Sequence, residues 1–252
     1  MAAPIALQLY TLREALAKDF NQVIKQVAEI GYVGVETAGF PGTTPQAAKE
    51  LFDDLGLVVC SAHAQLPVGD KKNEVLDAVE TLGCKRVVCA ALRPETHYQS
   101  LAQIEKTCEL VNEANQNVVE RGLSLGMHNH WWEFEQVEGR YRYQALLECL
   151  DPAVFFQIDT YWVKAAGLDP VAAIKEMGQR APLLHIKDGP GVQGEPQVAV
   201  GQGVMDVPAI IKAGEGTTEW LIVELDQCAT DMLEAVRESY QYLVSQGLAR
   251  GN

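Results

Sequence analysis

Asp159, His185 and Glu224 each stand near the end of a short apolar run: VFFQIDT over 154–160, PLLHIKD over 182–188 and WLIVELD over 220–226. A fourth run, LSLGMHNH over 123–130, leads into His128, His130 and, just beyond, Glu133. Carboxylate oxygens and imidazole nitrogens are the donors that Mg, Mn, Co and Zn ions accept. A charge set among apolar residues is costly unless it is paired or coordinates a metal. One divalent metal site is therefore the first chemistry the pattern points to. Lys187 follows His185 by two residues and shares its face of an extended strand, where an ammonium could stabilise a developing oxyanion.

The elements that must bring these residues together are legible as eight apolar runs, beginning near Ile5, Val33, Leu57, Arg86, Leu123, Val154, Pro182 and Trp220. They recur roughly every 25 to 40 residues, the size of a strand-helix unit. Between them lie helical patterns, such as Phe20, Val23, Ile24, Val27 and Ile30, or Leu101, Ile104, Cys108 and Val111, at the i, i+3, i+4, i+7 spacing. Asp169-Pro170 reads as a helix start, and Ile30-Gly31 and Leu55-Gly56 as helix ends. The expected fold is α/β: a (β/α)8 TIM barrel of parallel strands, one domain over 1–252. A parallel barrel delivers all its strand-to-helix loops to one face. Tyr10, Glu36, His63, His128, His130, Asp159, His185 and Glu224 would then meet at one mouth. The Gly/Pro-rich stretch GPGVQGEPQVAVGQG over 189–203 follows the seventh strand and is expected to lie over that mouth.

Composition narrows the function. The 252 residues carry 20 Lys and Arg against 34 Asp and Glu, a net charge of -14 that repels phosphate backbones, so nucleic acid is not an expected partner. No apolar run approaches the ~20 residues of a spanning helix and the N-terminus lacks a leader pattern, so a soluble cytoplasmic protein without membrane contact is expected. The six cysteines show no CxxC pairing and several sit in apolar segments, which reads as buried thiols without a disulfide framework. A homo-oligomer is compatible with this composition.

Seven segments in order, QLYTLR, GYVGVE, HNHWWEF, IDTYW, HIKD, VGQGVMD and IVELD, together resemble the sugar phosphate isomerase/epimerase family with its xylose-isomerase-like barrel. That group is related to inosose dehydratases, ketose 3-epimerases and AP endonucleases of the endonuclease IV type. The resemblance covers nearly the whole chain. It implies a divalent metal holding a keto-sugar or polyol at the barrel mouth, with Asp159, His185 and Glu224 as ligands from the sixth, seventh and eighth strands. Many relatives end the fifth strand with Glu-Asn-His, where this chain has His128-Asn129-His130. Either His128 binds the metal or Glu133 reaches back from the following turn. The set adopted at this point is Glu133, Asp159, His185 and Glu224.

A metal and two carboxylates acting on a hydroxy ketone would acidify the C–H beside the carbonyl and move that proton. Glu133 and Glu224 are the candidate pair, with Lys187 beside them. The expectation is an isomerase or epimerase. A carbon-oxygen lyase expelling a β-hydroxyl, or a non-catalytic sugar-binding barrel, are the alternatives. Trp131, Trp132, Tyr161 and Trp162 cluster next to the ligands, where a sugar face could stack, Trp162 foremost. Tyr10, Glu36, His63, His128 and His130 are the remaining candidates for substrate contact. Glu36 could instead pair with Arg13, and His97 reads as a helix-start residue without a role. Asp188 and Asp226 are candidates for holding the ligands in orientation.

Overall fold

Period-two alternation in the strands separates residues facing the helices from residues facing the barrel axis. The computed structural model, which describes residues 2–252, shows eight parallel strands: β1 (Ile5–Gln8), β2 (Gly34–Thr37), β3 (Val58–Ala64), β4 (Arg86–Cys89), β5 (Ser124–His128), β6 (Phe155–Asp159), β7 (Leu183–Ile186) and β8 (Trp220–Val223). They pair in sequence order and close through β1 and β8, with Ile5 against Leu221 and Leu7 against Val223. The principal helices alternate with them: α1 (Phe20–Ile30), α2 (Pro45–Asp54), α3 (Lys72–Thr81), α4 (Leu101–Glu120), α5 (Arg142–Cys149), α6 (Pro170–Met177), α7 (Val207–Ala213) and α8 (Met232–Ser245). The fold is a (β/α)8 TIM barrel. Among the described residues, no helix is long and apolar enough to cross a membrane.

Helix starts follow from capping chemistry. Asp19, Thr44, Ser100, Asp169, Asp206 and Asp231 each accept a backbone N–H from the first turn of the helix they precede. Phe20, Val23, Ile24, Val27 and Ile30 are all buried, as their spacing requires. Gly31 ends α1 in the left-handed region at φ 115°, a conformation that glycine adopts without the Cβ penalty.

Inside the barrel, Ala6, Cys60, Val88, Phe155, Leu183 and Ile222 form a separate apolar layer. Gly34 and Gly126 open space for its bulky neighbours: a Cβ on Gly126 would stand 2.2 Å from the Phe155 ring, and one on Gly34 would stand 2.5 Å from the Trp220 ring. The next inward positions up six of the strands, two residues on, are polar: Gln8, Glu36, His128, Gln157, His185 and Glu224. The register of β2 against β3 shifts between Val35, opposite Val59, and Glu36, opposite Ser61. This bulge lets Cys60 join the apolar layer while Ser61 reaches Glu36.

The reading of six unpaired thiols is corrected. Cys108 on α4 and Cys149 at the end of α5 form a disulfide with a Cα separation of 5.9 Å, within the usual range for such a bridge. The helices are neighbours in space although the cysteines are 41 residues apart, a proximity that spacing motifs cannot reveal. Cys60, Cys84 and Cys89 are buried free thiols, and Cys228 is partly exposed.

The floor layer generates a stability prediction. Gly126→Ala should lower the unfolding free energy by about 1–3 kcal/mol, because the added methyl overpacks against the buried Phe155 ring. Urea denaturation checks this, and an unchanged midpoint and slope would contradict it.

Candidate active site

Asp159 shows how local structure aims a candidate ligand. It ends β6 and caps the short helix Thr160–Ala165, so its Oδ1 accepts the Trp162 N–H at 3.0 Å. Its backbone N–H donates to Asn129 Oδ1 at 2.8 Å, and Asn129 Nδ2 donates to the Asp159 carbonyl at 3.2 Å. With the backbone locked and Oδ1 engaged, Oδ2 is left facing the mouth, fully buried and without a hydrogen-bond partner. Lys187 Nζ lies 2.8 Å from it as an ion pair.

One nitrogen or oxygen each from His128, Asp159, His185 and Glu224 all lie within 4.8 Å of one another, and all four residues are buried. Two imidazoles and two carboxylates suit Zn, Co or Mn. The Asp159 Oδ2 atom, engaged only by the Lys187 ammonium, together with this donor set fits a divalent ion. His185 Nδ1 lies 2.7 Å from Glu224 Oε2, while its Nε2 lies 2.6 Å from Glu36 Oε1, the arrangement in which an outer carboxylate orients a ligating imidazole.

Charge is dense here. Burial alone would depress Lys187, but Asp159, Glu224 and Asp226 around its Nζ hold it well above its ordinary value. Nζ is 2.8 Å from Glu224 Oε2 and donates to Asp226 Oδ2 at 2.6 Å. Glu224 is held low by Lys187 and His185 against the opposing effect of burial. Burial likewise opposes ionisation of Glu36, yet His63 and His185 keep it low. Burial lifts Asp159 to about 6 despite Lys187 and His185, and burial, reinforced by His185, depresses His128. Burial would depress His185 also, but Glu224 and Glu36 raise it to about 10.

Above these groups opens a cavity of about 440 Å3 lined in part by Tyr10, His63, His128, His130, Trp162 and Glu224. Trp131, Trp132 and Trp162 make one wall, the Trp131 ring centroid lying 4.6 Å from that of Trp132 and 5.0 Å from that of Trp162. His130 stacks on Trp132 at 4.0 Å. Tyr161 is buried behind the wall.

Glu133 is not brought into the set. Its Oε2 accepts the His130 N–H at 2.7 Å, folding the carboxylate back onto the turn that carries it, and the ligand atom that joins the other three comes from His128. Burial pushes Glu133 up to about 8. Glu36 lies below the cavity rather than in its wall, and the Arg13 pairing does not form: Arg13 donates to the Tyr10 and Asp226 carbonyls. Asp188 accepts the Gly189, Gly201 and Met205 N–H groups and so fastens the 189–203 loop. That loop is further tied through Gln197, whose Oε1 accepts the Asp226 N–H at 2.7 Å, while Gln193 and Gly194 line the cavity. His97 is engaged with Arg93 and Thr96 at its helix start.

Gln8, Ser61 and Gln157, all bonded to Glu36, were not singled out from the sequence. The available signal was a polar residue on the axis-facing side of an apolar strand: Gln157 stands two before Asp159 in VFFQIDT. Arg93, which also lines the cavity, sits in a loop with no such signal.

Residues 24–246 match the xylose isomerase-like TIM barrel family. The chain belongs to this family. A sugar phosphate isomerase/epimerase from Parabacteroides distasonis is 26% identical to it, with a TM-score of 0.85 over 99% of this chain and 96% of that one. Inosose dehydratase from Geobacillus kaustophilus is 23% identical over 189 residues, which is 67% of this chain, and the match spans 61% of that enzyme's length. The IolI protein, solved with a bound zinc atom, is 17% identical with a TM-score of 0.72, covering 98% of this chain and 99% of its own, a likeness of fold. Enzymes of this family thus include isomerase/epimerases and dehydratases.

The contested fifth-strand position can be decided by two variants. His128→Ala should weaken zinc or manganese binding by at least about 100-fold, the upper end of what losing even an outer partner does. Glu133→Gln should leave binding unchanged. Its effect falls on stability: Glu133 titrates near 8 folded against an ordinary 4.5, so the folded state holds the extra proton between these values and stability declines as pH rises from about 4.5 to 8. Glu133→Gln should flatten that decline in pH-dependent denaturation. Lost metal affinity in Glu133→Gln alone would contradict the assignment.

Proposed function

We propose that this chain is a metal-dependent isomerase or epimerase that moves a proton beside the carbonyl of a keto-sugar or related polyol. The observation that carries this reading is the meeting of Glu224 and Lys187, Oε2 to Nζ 2.8 Å, among candidate metal ligands at the bottom of an aromatic-walled cavity. A divalent ion held by His128, Asp159, His185 and Glu224 would supply Lewis-acid polarisation of the substrate carbonyl.

The chain's own residues do the rest. Trp131, Trp132 and Trp162 supply the aromatic wall against which the apolar face of a sugar packs, while His63, His130 and Tyr10 line the cavity around it. Glu224, ionised at neutral pH because Lys187 and His185 hold it low, accepts the carbon-bound proton at a carboxylate oxygen. Lys187, kept charged by three carboxylates, faces the developing charge on oxygen. Glu133, folded away from the cavity, is not retained as the second base. Return of that proton by Glu224 to the neighbouring carbon gives isomerisation, whereas epimerisation takes its proton on the opposite face, from solvent entering the open cavity. The Parabacteroides neighbour, named as an isomerase/epimerase, supports this reading.

A dehydratase is the second reading, favoured by the match to inosose dehydratase. It shares the proton abstraction and differs in expelling a β-hydroxyl, for which the Lys187 ammonium is the available proton donor.

Incubated in D2O with metal and a panel of keto-sugars and inososes, the protein should place deuterium on one carbon adjacent to the carbonyl. Glu224→Gln should abolish exchange, because an amide does not accept the proton, with metal content measured in the same sample. Product of unchanged formula marks the isomerase or epimerase, and loss of water marks the dehydratase. Absence of both exchange and dehydration at full metal occupancy would contradict the enzyme reading.

A further inference from the structure

Beside the candidate ligands lies a group of fully buried side chains, centred on Glu36, that lines neither the surface nor the cavity. Its carboxylate accepts Gln8 Nε2 at 2.6 Å, Ser61 Oγ and Gln157 Nε2. It also stands 2.6 Å from His185 Nε2 and 3.1 Å from His63 Nε2. A carboxylate in this position only accepts, so each nitrogen facing it must carry a hydrogen.

Two assignments follow. His185 keeps a hydrogen on Nε2; its Nδ1, 2.7 Å from Glu224 Oε2, carries a second one, and that is the hydrogen a metal would displace, since Nδ1 lies on the side where the ligand atoms of His128, Asp159 and Glu224 gather. The Gln157 amide must turn its NH2 to Glu36, so its Oε1 points to His63 Nε2 at 2.6 Å and to His128 Nδ1 at 3.1 Å. An amide oxygen also only accepts, hence His128 carries its proton on Nδ1 and offers Nε2. One acceptor therefore dictates, in two steps, which nitrogen each histidine presents.

We propose that Glu36 is a positioning residue that sets the tautomers of both histidine ligands, His185 directly and His128 through the Gln157 amide. This rests on the metal reading above. Glutamine at position 36 would keep the size but remove the constraint, because an amide can face His185 or Gln157 with either its donor or its acceptor. Gln157 is then free to turn over. Gln157→Leu separates the two arms, removing the partner of His128 while leaving Glu36 on His185.

Zinc is the probe, with affinity measured by competition against a chelator and histidine tautomers by long-range 1H–15N spectra of the zinc-loaded protein. Wild type should show His185 protonated on Nε2 and bound through Nδ1, and His128 protonated on Nδ1 and bound through Nε2. Glu36→Gln should weaken zinc by about 10–100-fold and scramble both patterns. Gln157→Leu should weaken zinc less and disturb the His128 signals alone. It carries the test if Glu36→Gln proves unfolded by circular dichroism. Folded variants that bind zinc with wild-type affinity and unchanged tautomers overturn the inference while leaving the metal reading intact. Wild-type protein that takes up no zinc overturns both.

Discussion

Five ionisable groups, Glu36, Asp159, His185, Lys187 and Glu224, are packed at the centre of a barrel with at most 4% of their surface exposed. Without water to solvate them, each must find its counter-charge within the protein or in something the protein holds. That requirement explains the close pairing of Lys187 with Asp159 and Glu224, and the five donors gathered on Glu36. Burial also keeps Asp159 closer to protonation than Glu224 beside it, which Lys187 and His185 together hold low. The site is an electrostatic assembly first, and its chemistry is a use of that assembly.

The barrel makes the assembly possible through strand periodicity. Inward positions two residues apart build an apolar floor from Ala6, Cys60, Val88, Phe155, Leu183 and Ile222, then a polar tier from Gln8, Glu36, His128, Gln157, His185 and Glu224. The floor excludes water from below. Glycines at 34 and 126 make room for the Trp220 and Phe155 rings, so the floor is filled rather than open. Low local dielectric then strengthens every contact in the tier above it. The loop over 189–203, fastened by Asp188 and Gln197, completes one rim of the cavity and steadies Asp226 against Lys187.

Much of this was legible in the sequence. Eight apolar runs at regular spacing gave the strands to within a residue or two, since VFFQID or WLIV has no other stable use at that length than a strand buried on both faces. Asp159, His185 and Glu224 stood out because charge inside such runs is conspicuous. Glu133 does not join the other three for a reason of geometry: carboxylates are the commoner donor for hard ions, but a side chain one turn beyond the strand is free to fold back onto the His130 N–H. Gln8, Ser61 and Gln157 went unnoticed because neutral polar residues in strands draw no attention until their partners are known. The Cys108–Cys149 bridge joins helices whose contact no local pattern encodes.

The ligand atoms of His128, Asp159, His185 and Glu224, all within 4.8 Å of one another, are placed to hold one divalent ion. Anomalous scattering from a manganese-soaked crystal, recorded on either side of the Mn absorption edge, tests it most directly. A single strong peak is expected within about 2.0–2.3 Å of one atom from each of these four residues, the range for imidazole nitrogen and carboxylate oxygen on such ions. A peak held by Glu133 in place of His128, or no peak at the barrel mouth at saturating manganese, would contradict it.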